Sequence, residues 1–548
     1  MHQKSLVMRI FLLTISSLIC LTINGQTTYY VDNLIGDDYH EGTLMTKPFK
    51  TLKRINSVIL EPGDTVLFRR GGAWTGNFLP KGSGSKDAMI VIGAYGNGPA
   101  PELDARGKVK EGEKVSHTVR LYNQEYIEIR DLKIKNYKPF EVPREIKSSG
   151  KSVYVNSPKT GIYIEGRDCG SLNSIRLVNL EICDVNGDMS TKNNGGVFIE
   201  ISWDDDADKR VKSNFNGLLT EGCYIHDIYP TGWSNTSVWK RRSLNSKWGD
   251  VLQNGRNHNW YPSREIVLRN NRFEKAGLNA LIVRVADGPL IEHCLFTHNG
   301  WKGSGNASYP FNCDNALFQY NEACYTVYNT EADSWNHKKD ADAGGFDSDW
   351  NCKNTIIQYN YSHHNGFGGI LLCNDGNSKT GFNDGTIVRY NVFENNQHHQ
   401  IRCSGTITNS LIHNNVILSG NSMDSILLVF HKSWGGYSDS THYINNIFYA
   451  KDIGAKIETA RSTNTFFTAN TFFGSISGEP EDSLKSKLDP RFISSGNTIS
   501  NYKEFLKFML QHDSPEINRG ITVKDHPEKD FIGNFIDEYP DRGAFEFQ

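Results

Sequence analysis

The sequence has no CxxC pair, no second long apolar run and no excess of charge of either sign. Each absence excludes something. Without CxxC pairs, zinc ribbons and dithiol redox motifs drop out. A net charge of −3 over 548 residues argues against nucleic acid or an anionic membrane as the main partner. The single long apolar run, Ile10 to Ile23, follows Lys4 and Arg9 and precedes Asn24-Gly25-Gln26. It reads as an export signal, residues 1–25, and is too short for a comfortable transmembrane span. The mature chain is therefore expected to be exported (periplasmic, cell-surface or secreted), without a membrane span and monomeric.

What is present is glycine and aromatic surface: Gly 50 and 11% aromatic residues, at a mean hydropathy of −0.50. That composition suits many tight turns and polar loops carrying rings. Nine cysteines remain beyond Cys20, an odd number in an exported chain. Several recur at equivalent places in the repeats described next, so buried free thiols acting as small apolar residues are expected.

The repeats dominate the sequence. YIEIRDLKIKN (126–136), SIRLVNLEICDV (174–185), EIVLRNNRFEKA (265–276), ALFQYNEACY (316–325), TIIQYNYSHHN (355–365), TIVRYNVFENN (386–396) and SLIHNNVILSG (410–420) share one pattern. Each has apolar residues, a polar bend that often carries Asn, then apolar residues again. Spacing varies while the signature holds, as in coils of short strands joined by elastic loops. No coil can bury its own apolar face, and stacking them makes one core. The fold expected is all-β, a single-stranded right-handed parallel β-helix. Residues 26–115 read as an N-terminal cap with the first coils, 116–475 as the helix with loop inserts, and 476–548 as a C-terminal cap. Helical spacing predicts a short amphipathic helix over 48–58, with Pro48 in its first turn, and a further helix over 501–511. Asn at the bends suits a left-handed backbone, and stacked amides can bond from coil to coil.

Three blocks carry a family resemblance: GDDYHEGT…KPFKTL…EPGDTVLFRRGG at the entry, GGFDSDWNCKNTIIQYNYS in the middle and SPEINRG…DRGAFEF at the exit. Together they resemble exported β-helix proteins that act on carbohydrate, in particular glycoside hydrolase family 141. That resemblance implies a polysaccharide or oligosaccharide substrate and an α-L-fucosidase- or xylanase-like activity. The clustered Arg motif of pectate lyases and the GHG and RIK signatures of polygalacturonases are absent.

Aligning the coils on Asn321, Asn360, Asn391 and Asn415 places Phe346, Asp347, Ser348 and Asp349 on a strand. Side chains alternate along a strand, so Asp347 and Asp349 share one face and, with Phe346 in the core, point outward. Arg402 then falls in the column of Asp347 and Ser404 in that of Asp349, with Leu371 and Cys373 between. Outward carboxylates with Arg and His nearby match the acid and base of glycoside hydrolysis. Asp347 and Asp349 are the leading catalytic candidates, with Arg402, His431 and Asp314 as helpers. Asp314 belongs to a column with Asp287, Lys353, Asp384 and Thr408 that otherwise reads as turn chemistry. Trp350, Trp434, His399, Asp375 and Trp248 are the substrate-binding candidates, the tryptophans as stacking platforms.

Two further readings stand beside hydrolysis. No cofactor is required, but Asp340, Asp342, Asp347 and Asp349 are oxygen ligands that suit Ca2+. That set would fit a polysaccharide lyase performing calcium-assisted β-elimination, with Lys353, Arg402 or His399 as base. A non-catalytic carbohydrate-binding β-helix would need only the aromatic rings. The acidic run Asp204-Asp205-Asp206 with Asp208 reads as a solvated or calcium-binding loop.

Overall fold

The computed structural model describes residues 25–148, 151–242, 259–329, 342–377, 381–419, 426–493 and 504–548. The export-signal reading and the inserts carrying Trp248 and Asp340 fall outside them. Among the described residues, parallel strands form two long sheets of 17 and 23 strands, with two short antiparallel strand pairs beside them. Sequential coils pair in register, as in Leu317↔Ile356↔Ile387↔Leu411↔His442 on the first sheet. The larger sheet holds two ladders of strands that merge at Ile447–Glu458. The chain is a parallel β-helix. No helix among the described residues is long and apolar enough to cross a membrane.

One apolar column fills the interior from Val31 to Phe472. Rings stack along it from coil to coil, as in Phe273–Phe296 at 5.2 Å and Phe448–Phe472 at 5.2 Å. Stacking begins earlier than the sequence signatures, since Thr28–Val31 already pairs with Thr65–Arg69. The entry helix is a single turn, Leu52–Ile55, capped by the Thr51 hydroxyl and burying Leu52 and Ile55. The exit segment folds back so that Phe505, Phe508, Phe531 and Phe545 cover Tyr359, Tyr361, Tyr390 and Val392. Among the described residues its one helical turn is the 3-10 segment Glu504–Phe508, with 501–503 of the expected helix outside them.

The Asn bends act differently from the sequence expectation. The left-handed residue is the one before each ladder Asn: Tyr320, Tyr359, Tyr390 and Asn414 have φ of 55°, 55°, 51° and 49°. That reversal swings the next side chain inward, where the amides form a continuous chain. Asn321, Asn360, Asn391, Asn415 and Asn446 each donate Nδ2 to the next amide oxygen at 2.9–3.0 Å, ending with Asn470 on Asp482. The outer column keeps to turn chemistry. Asp287 accepts from Asn315, and Asp384 from Thr408 and Asn409.

Asn391 is fully buried, accepting from Asn360 on the preceding coil and donating to Ile357 O there, to Arg389 O and to Asn415 Oδ1 on the next coil. Asn391→Leu should cost about 2–4 kcal/mol, because several buried groups lose their partners together. Asn409→Ala, at an exposed turn, should cost under about 1 kcal/mol by comparison. Urea unfolding of the two variants checks the difference.

Candidate active site

The site begins with the strand Gly344–Ser348. Gly345 lets this strand come close to its neighbours, since a Cβ there would lie 2.3 Å from Ser362 Oγ and 2.7 Å from Gly369 O. Phe346 lies in the core column with Ile370, Ile401 and Val429. Ser348, also inward, meets Thr386 Oγ1 at 3.1 Å. Asp347 and Asp349 therefore leave the wall on its outer face. Downstream, Asp347 continues into Leu371, Arg402 and Phe430, and Cys373 of the Asp349 column continues into Ser404 and Lys432.

The upstream coils supply groups that the sequence alignment did not bring in. Ser308 pairs with Phe346, which puts Tyr309 one coil before Asp347. Tyr309 pairs with Ile282, and Phe311 with Arg284. Lys192, from the loop before Gly195–Ser202, donates Nζ to Tyr309 OH at 2.9 Å. Arg284 donates to Asn193 Oδ1 at 2.7 Å. Lys192, Arg284, Tyr309, Asn312, Asp349, Trp350 and Trp434 line one cavity of about 560 Å³. Trp350 and Trp434 form its aromatic side, with ring centroids 5.0 Å apart, and Trp434 is 40% exposed.

The carboxyl pair is closely held. Asn306 accepts the Gly344 N–H with Oδ1 at 2.9 Å, which turns its Nδ2 toward Asp347 Oδ2 at 3.1 Å. Cys373 Sγ lies 3.2 Å from Asp349 Oδ1 and 3.9 Å from Asp347 Oδ1. The Trp350 N–H donates to Asp349 Oδ1 at 2.7 Å. An oxygen of each carboxyl and the thiol sulfur lie within 4.8 Å of one another. Positions i and i+2 on a strand are roughly 6–7 Å apart, so the two side chains lean together. Ala343, just ahead, has φ 134°, a backbone region costly for a residue with a Cβ.

Electrostatics separates the two acids. Burial, then the charges of Asp349 and Asp342, push Asp347 well above the ordinary carboxyl range, against the Asn306 amide and Lys192. Burial also raises Asp349, to about 6, while the Trp350 N–H and the Cys373 thiol pull it back. The thiol itself is pushed far up by burial and by both carboxyls, so it stays protonated and donates. Burial pulls Lys192 down, and Tyr309 and Asp342 more than offset it. Burial thus favours the neutral form of both acids, of Asp347 more strongly than of Asp349.

The other sequence candidates divide. His431 is corrected: it pairs with inward-facing Cys403 and is buried, bonded to Ser438 and Ser462 at Nδ1 and to Tyr443 OH at Nε2. Burial lowers it to about 4, as for a satisfied core histidine. Asp314 lies past the corner, on the turn column between Asp287 and Lys353, ion-paired with Arg242. Arg402 is two strands along from Asp347, roughly 10 Å by sheet spacing, donating to Ser404 Oγ at 2.8 Å. His399 is buried over Gly368, where a Cβ would fall 2.1 Å from Nε2, and contacts Phe367 and Phe430. Asp375 accepts from Asn377 and shapes the loop whose Gly376 N–H donates to Trp434 O at 2.7 Å. Trp248 lies outside the described residues. Upstream of it, Trp233 and Trp239 belong to the core. The Asp204–Asp206 run is an exposed turn in which Asp206 caps Asp208 N and Arg210 holds two carbonyls.

As for a metal, the Asp347–Asp349–Cys373 group offers two carboxyls and a protonated thiol. Calcium takes six to eight oxygens, and Lys192 and Arg284 line the same cavity. These three donors alone fall short of a calcium shell, and Asp340 of the four-aspartate set lies outside the described residues.

No family model matches the chain. It is 25% identical, over 611 aligned positions, to a lacto-N-biosidase of Bifidobacterium longum subsp. longum. That alignment takes in 96% of this chain and 36% of the relative, so the chain spans about a third of the curated relative's length. Among solved structures, a GH136 lacto-N-biosidase from Eubacterium ramulus superposes with a TM-score of 0.55 at 23% identity. That superposition covers 71% of this chain and 64% of the other. XylC in complex with xylose gives 0.52 at 12% identity, over 95% and 98%. These superpositions show that the chain shares the parallel β-helix fold.

A carboxyl whose pKa rises on folding binds more protons folded than unfolded between its ordinary value and its raised one. Stability is therefore greatest below pH 4 for that group and falls as pH rises through about 6. Asp349→Asn removes this penalty. It should raise unfolding free energy by about 1–3 kcal/mol at pH 8 and by little at pH 4. Thermal unfolding at the two pH values checks it.

Proposed function

We propose that the chain is a glycoside hydrolase that cleaves an oligosaccharide by a retaining, double-displacement mechanism. The carrying observation is the buried Asp347–Asp349 pair beside a cavity walled by Trp350 and Trp434. Retaining enzymes hold their carboxyls about 5–5.5 Å apart and inverting ones about 6.5–9.5 Å. The observed closeness favours the first. Asp349 lines the cavity and takes a backbone N–H and a thiol hydrogen bond, both of which favour its charged form. It is the nucleophile. Asp347, the more strongly raised acid, gives its proton to the leaving oxygen. It then takes one from the water that hydrolyses the glycosyl ester on Asp349. Lys192, Arg284 and Tyr309 hold the charge that develops across the pair.

The alternatives lose support on particular residues. A lyase was to use Lys353, Arg402 or His399 as base. Lys353 lies on the exposed turn column, Arg402 roughly 10 Å along the face, and burial makes His399 a poor proton acceptor. A pure binding protein has no use for two acids kept at a cost in stability. For substrate, the relatives' name makes a lacto-N-biosyl oligosaccharide the first to test. The α-L-fucosides and xylan implied by the family 141 resemblance are the comparison set.

Asp347→Asn and Asp349→Asn should each lower kcat by about 10³-fold or more, with KM changed only a few-fold. The wild-type rate should fall on the acid side below about pH 6, as Asp349 gains its proton. Product analysis should find new reducing ends and no unsaturated uronate. Full activity in either variant would refute the assignment.

A further inference from the structure

Apart from the half-buried Cys169, the described cysteines divide into two groups by the direction they face. Cys223, Cys294, Cys313, Cys352 and Cys403 belong to the interior column. Cys183, Cys324 and Cys373 leave the wall, and each stands beside a carboxylate. One of these three lies in the acidic site already described. The other two repeat a single arrangement: Glu-x-Cys on one strand and His directly across on the next. In one, Cys183 pairs with His226 beside Glu181, and in the other Cys324 pairs with His363 beside Glu322.

We propose that Glu322, Cys324 and His363 bind a divalent transition-metal ion of the zinc class, stapling the strand Glu322–Cys324 to Tyr361–His363. The donor atoms are a carboxylate oxygen, a sulfur and an imidazole nitrogen, a set zinc accepts. Ligand atoms around tetrahedral zinc lie roughly 3.3–3.6 Å apart. Here Glu322 Oε1 and His363 Nε2 are 3.0 Å apart, and all three donors lie within 4.8 Å of one another. His363 Nδ1 faces His364 Nδ1 at 2.9 Å. With the proton on His363 Nδ1 donated to His364, Nε2 keeps its lone pair and faces the carboxylate, an arrangement a cation completes. Tyr361 stacks on His363 at 4.0 Å and fixes the ring. On binding, Cys324 gives up its thiol proton to solvent and bonds the metal as thiolate.

The repeated cluster supplies its own control. There Lys133 Nζ lies 2.7 Å from Glu181 Oε1, an ammonium on the oxygen the metal would need, and His226 Nδ1 is tied to Asp227. Among the described residues, no Lys or Arg lies within ion-pair distance of Glu322. One site, not two, follows.

The test uses the untagged full chain, stripped with chelator and titrated with Co2+ and then Zn2+. The expected result is about one equivalent bound, with a thiolate-to-cobalt charge-transfer band in the near ultraviolet that zinc displaces. Cys324→Ser should abolish the band, and Cys183→Ser should leave it intact. His364→Phe should weaken binding about tenfold or more. Circular dichroism confirms that each variant folds. If Cys324→Ser misfolds, His363→Ala, which should also abolish the band, decides instead. No band in the wild type, a band that survives loss of Cys324 or His363, or one lost with Cys183, overturns the proposal.

Discussion

In-register pairing of coil on coil is the constraint from which the remaining features follow. Each coil is too small to bury its own apolar face, so its stability comes from its two neighbours. The Asn ladder fixes that register, since an amide displaced by one position would face the wrong backbone groups. Register turns sequence into columns, and columns decide which side chains meet. Tyr309, Asp347 and Arg402 share a face for that reason, as do Cys324 and His363.

The acidic strand makes use of this rigidity. Two carboxyls occupy outward positions whose neighbours along the columns are Leu371 and Cys373. Desolvation and mutual repulsion act against both, and the surrounding groups offset only part of that. Asn306 and the Cys373 thiol are neutral donors, and Lys192 is a cation whose charge lowers both acids. Ala343 adds backbone strain beside them. Such a site persists because the wall on either side over-determines its geometry. Stability forgone at one place while the scaffold is otherwise satisfied is what reactive groups require.

Much of this was legible in the sequence. The recurring apolar–Asn–apolar signature gave the fold, and alternation about Phe346 gave the outward direction of Asp347 and Asp349. The columns running to Arg402 and Ser404 followed from aligning the Asn bends. The same alternation could have excluded His431, which has the parity of Cys403 rather than of Ser404. Asp314 was harder, because the strand Ser308–Phe311 ends before it and the chain turns a corner. Lys192, Arg284 and Tyr309 were missed for another reason. They lie on coils separated by long inserts, so their register with the acidic strand depends on loop lengths that periodicity does not encode. The left-handed residue one step ahead of each Asn was likewise hidden, since Tyr has no marked preference for that conformation.

The proposed chemistry depends on the charge state of the carboxyl pair. Infrared difference spectra of the wild-type chain against Asp347→Asn at pH 7 read it directly. A protonated-carboxyl band present in the wild type and absent from the variant, with Asp349 titrating near 6, is the predicted result. Two fully ionised carboxylates at pH 7, with no protonated band to lose, would contradict it.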